Sequence, residues 1–424
     1  MSSRRVLLLG SGGREHALAR ALAASPSCGA LFVAPGNPGI AAVARCVSLS
    51  ALEPEAVLRF CREAAIDLVV VGPEAPLVAG LADLLNGAGV TALGPSAAAA
   101  QIEASKAHTR ALCARLGIAM APGASFDRPA AARAYAEHLG LPVVLKVDGL
   151  AAGKGVTVAH DWPHFDAALG DAMVALRFGE AGRRVVVESF VSGDELSLFA
   201  LCNGTQSVVL GTARDYKHRD AGRRGPLTGG MGAVSPHPRE TPALVAALKA
   251  LFVDPLLAAL AAEGRPYRGV LYAGLMLTAE GPRLLEYNVR FGDPECQCLV
   301  ARWRGDLAAA LAAAASGEPL ATPTLVGHAV TVVLADPAYP DPPRDALRLD
   351  SVDTLSTHPH AALLHAGTRR DPEGGLFSRG GRVLNAVAWG ERPAAARALA
   401  YETVAATGLT GLYHRRDVGA DEGA

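Results

Sequence analysis

Lysine is nearly missing from this chain. Among 40 Lys+Arg residues only Lys106, Lys146, Lys154, Lys217 and Lys249 are lysines. Arginine supplies a broad planar fork, whereas lysine delivers a compact point charge on a thin stem. Lys106, Lys146, Lys154 and Lys217 lie in Gly-rich or strand-end segments suited to a phosphate. Chance retention of solvated lysines is the other reading, and Lys249, in an Ala/Leu-rich stretch, fits it. Aromatics make up 5% of residues, so the cores must be packed from Ala, Leu and Val. A formal net charge of −1 leaves no general field for nucleic acid or an anionic membrane. Seven cysteines, an odd number without disulfide-like spacing, indicate reduced thiols and a cytosolic setting. Cys296 and Cys298 form the one close pair, and without a second cluster they make a poor zinc site. No apolar run of membrane length is free of Gly, Pro or charge. Val6–Leu9 is too short for a signal segment. The expectation is a soluble, cytoplasmic protein.

At 424 residues the chain has room for about three domains. Short apolar runs at Val6–Leu9, Leu31–Val33 and Leu68–Val71 alternate with helical stretches and end in Gly/Pro turns. That pattern predicts a parallel sheet with ligand loops at the strand C-terminal ends. A smaller α/β unit follows, with strands at 143–147, 155–159 and 184–189. Strands at 196–201, 207–212, 270–277 and 283–291 predict a mostly antiparallel sheet with a helix near 244–263. A Pro-rich stretch, 319–343, leads into a last small domain. The fold class is α/β and α+β multidomain, divided at 1–104, 105–190, 191–327 and 328–424.

The first glycine loop, Gly10-Ser-Gly-Gly-Arg-Glu-His16, is not a dinucleotide fingerprint. Its third Gly position holds Glu15, and the second strand ends without an acid. A strand, a glycine turn and a helix N-terminus remain, which can serve as an anion site. Gly12, Gly13 and His16 are its candidates; a tight turn without a ligand is the alternative. Leu145–Val156 reads as strand, loop and strand, with Gly149, Gly153 and Gly155 letting backbone N–H groups approach an anion between Lys146 and Lys154. Glu188 ends an apolar strand, and Glu195 follows the next turn; together they could hold a nucleoside, though a solvated strand end explains them equally well. In Leu284-Leu-Glu-Tyr-Asn-Val-Arg-Phe291 the strand period puts Glu286, Asn288 and Arg290 on one face and Leu285, Tyr287, Val289 and Phe291 on the other. Carboxylate and amide oxygens suit Mg²⁺, and Arg290 suits a carboxylate in bidentate fashion. The segments Asp215-Tyr-Lys217-His-Arg and Thr228-Gly-Gly-Met-Gly232 add a charged loop and a glycine nest.

Taken together these residues resemble the ATP-grasp enzymes, specifically the phosphoribosylamine–glycine ligase family, over nearly the whole chain. The resemblance runs through 10–17, 35–39, 71–77, 105–107, 146–156, 228–233, 272–276, 288–295, 365–368 and 380–384. The Arg290-Phe-Gly-Asp-Pro-Glu295 run and the Lys146–Lys154 loop are its most specific parts. It implies an N-terminal parallel α/β (pre-ATP-grasp) domain, a two-lobed ATP-grasp fold and a small C-terminal α+β domain. It implies ATP phosphates on Lys106 and Lys146, under the loop of Gly153, Lys154 and Gly155. Adenosine falls to Glu188, Val191 and Glu195, and Mg²⁺ or Mn²⁺ to Glu286 and Asn288. Glycine's carboxylate falls to Arg290 with support from Asp215. The 5-phosphoribosylamine falls to Gly12, Gly13, His16, Asn37, Lys217, Gly229, Gly230 and Asp293. The implied catalytic set is Lys146, Arg290 and Asp215, in a monomer or weak homodimer. Departures from the family are Tyr216 and His218 in the charged loop, Leu227 before the glycine nest, and the stretch 338–360. A sister ligase, a nicotinamide oxidoreductase and a silent nucleotide-binding module are the rivals; retention of Lys146, Glu286, Asn288 and Arg290 together argues against the last.

Overall fold

A computed structural model describes residues 3–420 apart from 152–154, 344 and 356–357. Strands β1 (Arg4–Gly10), β2 (Cys28–Pro35), β3 (Arg45–Cys46), β4 (Leu68–Val71) and β5 (Ala92–Leu93) form a parallel sheet in the order β3-β2-β1-β4-β5. The run Val6–Leu9 is fully buried because β1 is central and covered on both faces. Leu7 and Leu9 enter one core, Val6 and Leu8 another, as the two-residue strand period requires. This first sheet thereby holds the turns at 10–12, 35–39 and 72–73 along one edge.

The second unit is a four-stranded antiparallel sheet with its own core. Its strands β6 (Gly123–Phe126), β7 (Val143–Val147), β8 (Val156–Ala159) and β9 (Val185–Ser189) run in the order β6-β9-β7-β8. β6 has no counterpart in the sequence reading: Gly123-Ala-Ser-Phe lacks the apolar run that marks the other three.

The largest sheet contains β10 (Asp194–Asn203), β11 (Ser207–Asp215), β14 (Gly232–Ser235), β15 (Arg268–Thr278) and β16 (Gly281–Asn288). It continues through β17 (His328–Ala335), β18 (Ala361–His365) and β19 (Arg382–Gly390) in the order β16-β15-β10-β11-β14-β17-β19-β18. Between β11 and β14 a hairpin of β12 (His218–Asp220) and β13 (Arg224–Leu227) stands off the sheet. The last small domain expected from the sequence shares this sheet with the large lobe. β14 pairs with β11 on one side and β17 on the other, so the backbone ladder crosses the expected boundary.

The helical stretch Pro242–Ala262 is long and apolar enough to cross a membrane by length and composition. Its Leu248, Phe252, Val253, Leu256 and Leu260 pack into the first core, while Lys249 and Asp254 pair at 2.6 Å.

Candidate active site

The three units and the C-terminal strands enclose a cavity of about 860 Å³. On its small-lobe wall, Lys146 of β7 is 7% exposed and bridges the two lobes. Its Nζ meets Glu188 Oε2 at 2.7 Å and donates to the Leu285 carbonyl at 3.0 Å. Arg110 holds the other Glu188 oxygen at 2.6 Å. Burial alone would push the Glu188 carboxyl up; Lys146 and Arg110 outweigh it and hold the carboxyl below the usual range. Lys106 opens helix α2 (Lys106–Leu116), capped by the Ser105 hydroxyl, and donates to the Gly149 carbonyl at 3.1 Å. Asp148 pins this junction through Ser105 Oγ at 2.9 Å and Ala107 N at 3.0 Å. Gly155, Val191 and Glu195 also line the cavity. Glu195 is paired with Lys217. Gly153 and Lys154 lie outside the described residues.

The predicted acid–amide–arginine row stands in the cavity wall: Glu286, Asn288 and Arg290 all line it. The opposite face is only partly as the strand period gives it. Tyr287, Val289 and Phe291 are buried in cores, Tyr287 also touching the cavity, whereas Leu285 lines the cavity without joining a core. A bulge causes this, since Gly274 faces Glu286 while Leu275 faces Leu284, leaving Leu285 as the extra residue. Leu284 takes the core position instead.

Arg290 pairs with Glu74 and Glu103, each at 3.2 Å, and donates to Asn288 Oδ1 at 3.2 Å. Burial would discharge the guanidinium, but Glu103 and Glu74 hold it firmly charged. Burial raises the Glu103 carboxyl, and Arg290 only partly offsets this. Glu286 is half-buried, and against the upward push of burial Lys217, Lys106 and Lys146 keep its carboxyl below the usual range. It accepts from Asn288 Nδ2 at 3.4 Å. Among the described residues no cluster of three or more His, Cys, Asp or Glu could cage a metal alone. One carboxylate and one amide fit Mg²⁺, a hard ion that keeps waters and takes substrate oxygens for its remaining positions.

Across the floor, Asp215 Oδ1 is a buried atom without a hydrogen-bond partner. Burial and then the nearby Glu295 push its carboxyl well up, against the pull of Lys217. The glycine nest beside it is met by other protein groups: Gly229 N donates to Tyr339 OH at 2.9 Å and Gly230 N to Thr228 Oγ1 at 3.0 Å. Asp293 accepts from Gln297 Nε2 at 2.7 Å and pairs with Arg382 of β19 at 3.2 Å. Arg382 also donates to the Gly229 and Asp293 carbonyls, each at 2.6 Å.

Asp215, Lys217, Gly229 and Asp293 line the cavity; Gly12, Gly13, His16, Asn37 and Gly230 do not. The N-terminus of helix α1 (Gly13–Ala23) is already met by its own acid, since Gly12 N donates to Glu15 Oε2 at 2.7 Å. Glu15 fills the notch left by Gly10 and Gly72, where an added Cβ would come within 2.5 and 2.2 Å of it. The residue that breaks the dinucleotide fingerprint thus also takes one amide of the expected anion site. His16 Nδ1 accepts from His365 N at 2.8 Å. Burial, with His365 and Arg20, lowers its pKa to about 3. Asn37 Nδ2 donates to the Ser11 and His365 carbonyls at 2.8 and 3.0 Å. His16 and Asn37 therefore join the first unit to the C-terminal strands. From the same glycine loop it is Arg14 that reaches the cavity.

The sequence reading missed Arg14, Glu74, Glu103, Glu295 and Arg382. Glu74 follows a strand-end turn and Glu295 and Arg382 stand in runs already noted, so position offered a signal. Glu103, inside an Ala-rich helix, offered none.

A cleft between two antiparallel lobes, with lysines on one wall and an acid–amide pair on the other, is the arrangement of an ATP-grasp enzyme. Comparison with known proteins narrows the class. The chain matches phosphoribosylglycinamide synthetase in three parts: N domain at 4–103, ATP-grasp (A) domain at 104–296 and C domain at 329–421. It is 47% identical over 422 residues to a phosphoribosylamine–glycine ligase of Caulobacter vibrioides, covering 99% of this chain and 98% of the relative. The crystal structure of a Thermotoga maritima phosphoribosylamine–glycine ligase superposes with a TM-score of 0.82 at 31% identity, covering 97% and 99% of the two chains. The biotin carboxylase domain of a Hydrogenobacter thermophilus 2-oxoglutarate carboxylase, solved with MgADP, shares the fold at a TM-score of 0.73 and 16% identity, covering 98% and 92%. The chain belongs to the phosphoribosylamine–glycine ligase (phosphoribosylglycinamide synthetase) family.

Proposed function

We propose that this chain joins glycine to 5-phosphoribosylamine with ATP, through glycyl phosphate, giving glycinamide ribonucleotide, ADP and phosphate in de novo purine biosynthesis. The observation that carries this reading is the convergence of Lys106, Lys146, Glu286, Asn288 and Arg290 on one cavity. In the first step a glycine carboxylate oxygen attacks the γ-phosphorus and ADP leaves. In the second the amine nitrogen attacks the acyl carbon, phosphate leaves, and the nitrogen gives up a proton.

The protein's share is mostly positioning and charge neutralisation. Lys106 and Lys146 hold the phosphates, and Gly155, Glu188, Val191 and Glu195 wall the adenosine side. Lys146 exchanges its contacts with Glu188 and Leu285 for phosphate oxygens. Arg290, fixed by Glu74 and Glu103, orients the glycine carboxylate. Asp215 Oδ1, buried and unpartnered, takes an N–H of the substrate amino group. Asp293 and Lys217 face the ribosyl end. Glu286 and Asn288 would hold Mg²⁺ or Mn²⁺, which would supply charge neutralisation at the phosphates. The working form is a monomer or weak homodimer in the cytoplasm.

The test is ADP release with ATP and Mg²⁺, adding glycine and freshly generated phosphoribosylamine singly and together. ADP only with both, in step with glycinamide ribonucleotide, is the expected result. ADP with a different acid–amine pair would move the chain to a sister ligase. Nucleotide binding without turnover would overturn the enzyme reading.

A further inference from the structure

The segment Tyr216–Arg223, joined to Asp215 and Lys217 of the cavity floor, is held by the far end of the chain. Arg415, 1% exposed, donates to the His218 carbonyl at 2.9 Å across 197 residues of sequence. Its guanidinium lies 5.1 Å from the Tyr216 ring centre and is clamped by Asp417 at 2.6 Å. Asp417 in turn accepts from Gly222 N at 3.0 Å. Tyr216 OH accepts from Gly419 N at 2.9 Å, and Tyr413 OH donates to the Arg219 carbonyl at 3.1 Å. Both neighbours of Lys217 are therefore fixed by residues 413–419. Tyr216 is part of the clamp.

We infer that Arg415 is a positioning residue. Through His218 and Tyr216 it sets where Lys217 and Asp215 stand against the phosphoribosylamine and the glycine. A buried guanidinium with a bidentate acid is rigid, and removing one partner leaves the other charge unpaired. A loop so fixed keeps Lys217 on Glu195 and near Glu286 and holds Asp215 Oδ1 at the cavity floor without a hydrogen-bond partner. On the nucleotide wall, the side chains of Lys106, Lys146 and Glu188 are held by other elements, the Gly149 carbonyl, the Leu285 carbonyl and Arg110, while Glu195 meets the loop through Lys217. The inference rests on the proposed reaction.

The test compares the full-length chain with Arg415→Gln and Arg397→Gln. Arg397 grips the same tail from outside, donating to the Val418 and Arg416 carbonyls at 3.1 and 2.9 Å rather than to the loop. Readouts are kcat/KM for glycine and, separately, nucleotide affinity by calorimetry. Arg415→Gln should lose roughly 10-fold in kcat/KM for glycine, with nucleotide affinity within about twofold, as misplacement of a substrate-side group predicts. Arg397→Gln should keep its glycine kinetics. Normal glycine kinetics in Arg415→Gln, or an equal loss in Arg397→Gln, overturns the inference. If Arg415→Gln fails to fold, Tyr216→Phe replaces it, since it deletes only the hydroxyl that Gly419 N reaches. A glycine-selective loss there supports the inference and unchanged kinetics overturns it. Wild-type chain that releases no ADP with glycine and phosphoribosylamine sinks the ligase reading, and this inference with it.

Discussion

At the scale of single residues, the site is a set of buried charges that hold one another in place. Lys146 shows the logic. Its ammonium is nearly sealed from solvent and engaged by Glu188 and a backbone carbonyl, so a phosphate enters by exchange of partners rather than by desolvating a bare cation. Lys146→Ala should cost at least about 10²-fold in turnover through lost electrostatic stabilisation. Single-turnover ADP release checks it; near-normal turnover would remove Lys146 from the role assigned to it. The scarcity of lysine makes this residue legible from sequence alone. Glu103 is not legible, because its function is to hold Arg290 from a helix whose neighbours are alanines, and its value appears only when β16 is laid against that helix.

At the scale of elements, strand period and glycine turns expose most of the framework, and local irregularities account for what they miss. The bulge before Glu286 is one: alternation correctly groups Glu286, Asn288 and Arg290 but misplaces Leu285, and nothing in Leu284-Leu285 announces an extra residue. The N-terminal glycine turn is another. Its sequence offers free amides, and only the folded turn shows Glu15 using one of them. The nest at 228–232 is legible as a turn, but its donors are spent on other protein groups. Gly230 sits at φ +108, and a Cβ there would meet Pro294 Cδ at 2.5 Å and Asp215 Oδ1 at 2.6 Å. Gly230→Ala should therefore cost about 1–3 kcal/mol in urea unfolding through strain and raise KM for glycine by displacing Asp215. Unchanged stability and KM would mean the loop has slack that its packing does not suggest.

At the scale of the whole molecule, charged and neutral buried groups join the units. His16 is neutral in the folded state, its pKa lowered from 6.5 to about 3, so it binds its proton more weakly folded than unfolded. As pH falls through 6.5 the unfolded chain gains a proton that the folded chain refuses, and stability is lost. His237, lowered to about 4 by burial, acts in the same direction. Each such group steepens the loss by up to about 1.4 kcal/mol per pH unit in the window between its two pKa values. His16→Asn, which can keep an acceptor for His365 N, should flatten the unfolding free energy between pH 6 and pH 5 as measured by urea titration at each pH. An unchanged slope would show that His16 titrates normally. The shared strand β14 has a separate consequence for anyone who cuts the gene. A chain stopped before β17 would carry β14 as a naked edge, with apolar side chains and unpaired backbone groups facing water. Such a fragment should clump in the test tube, so the C-terminal region cannot be trimmed away to leave a clean nucleotide-binding piece.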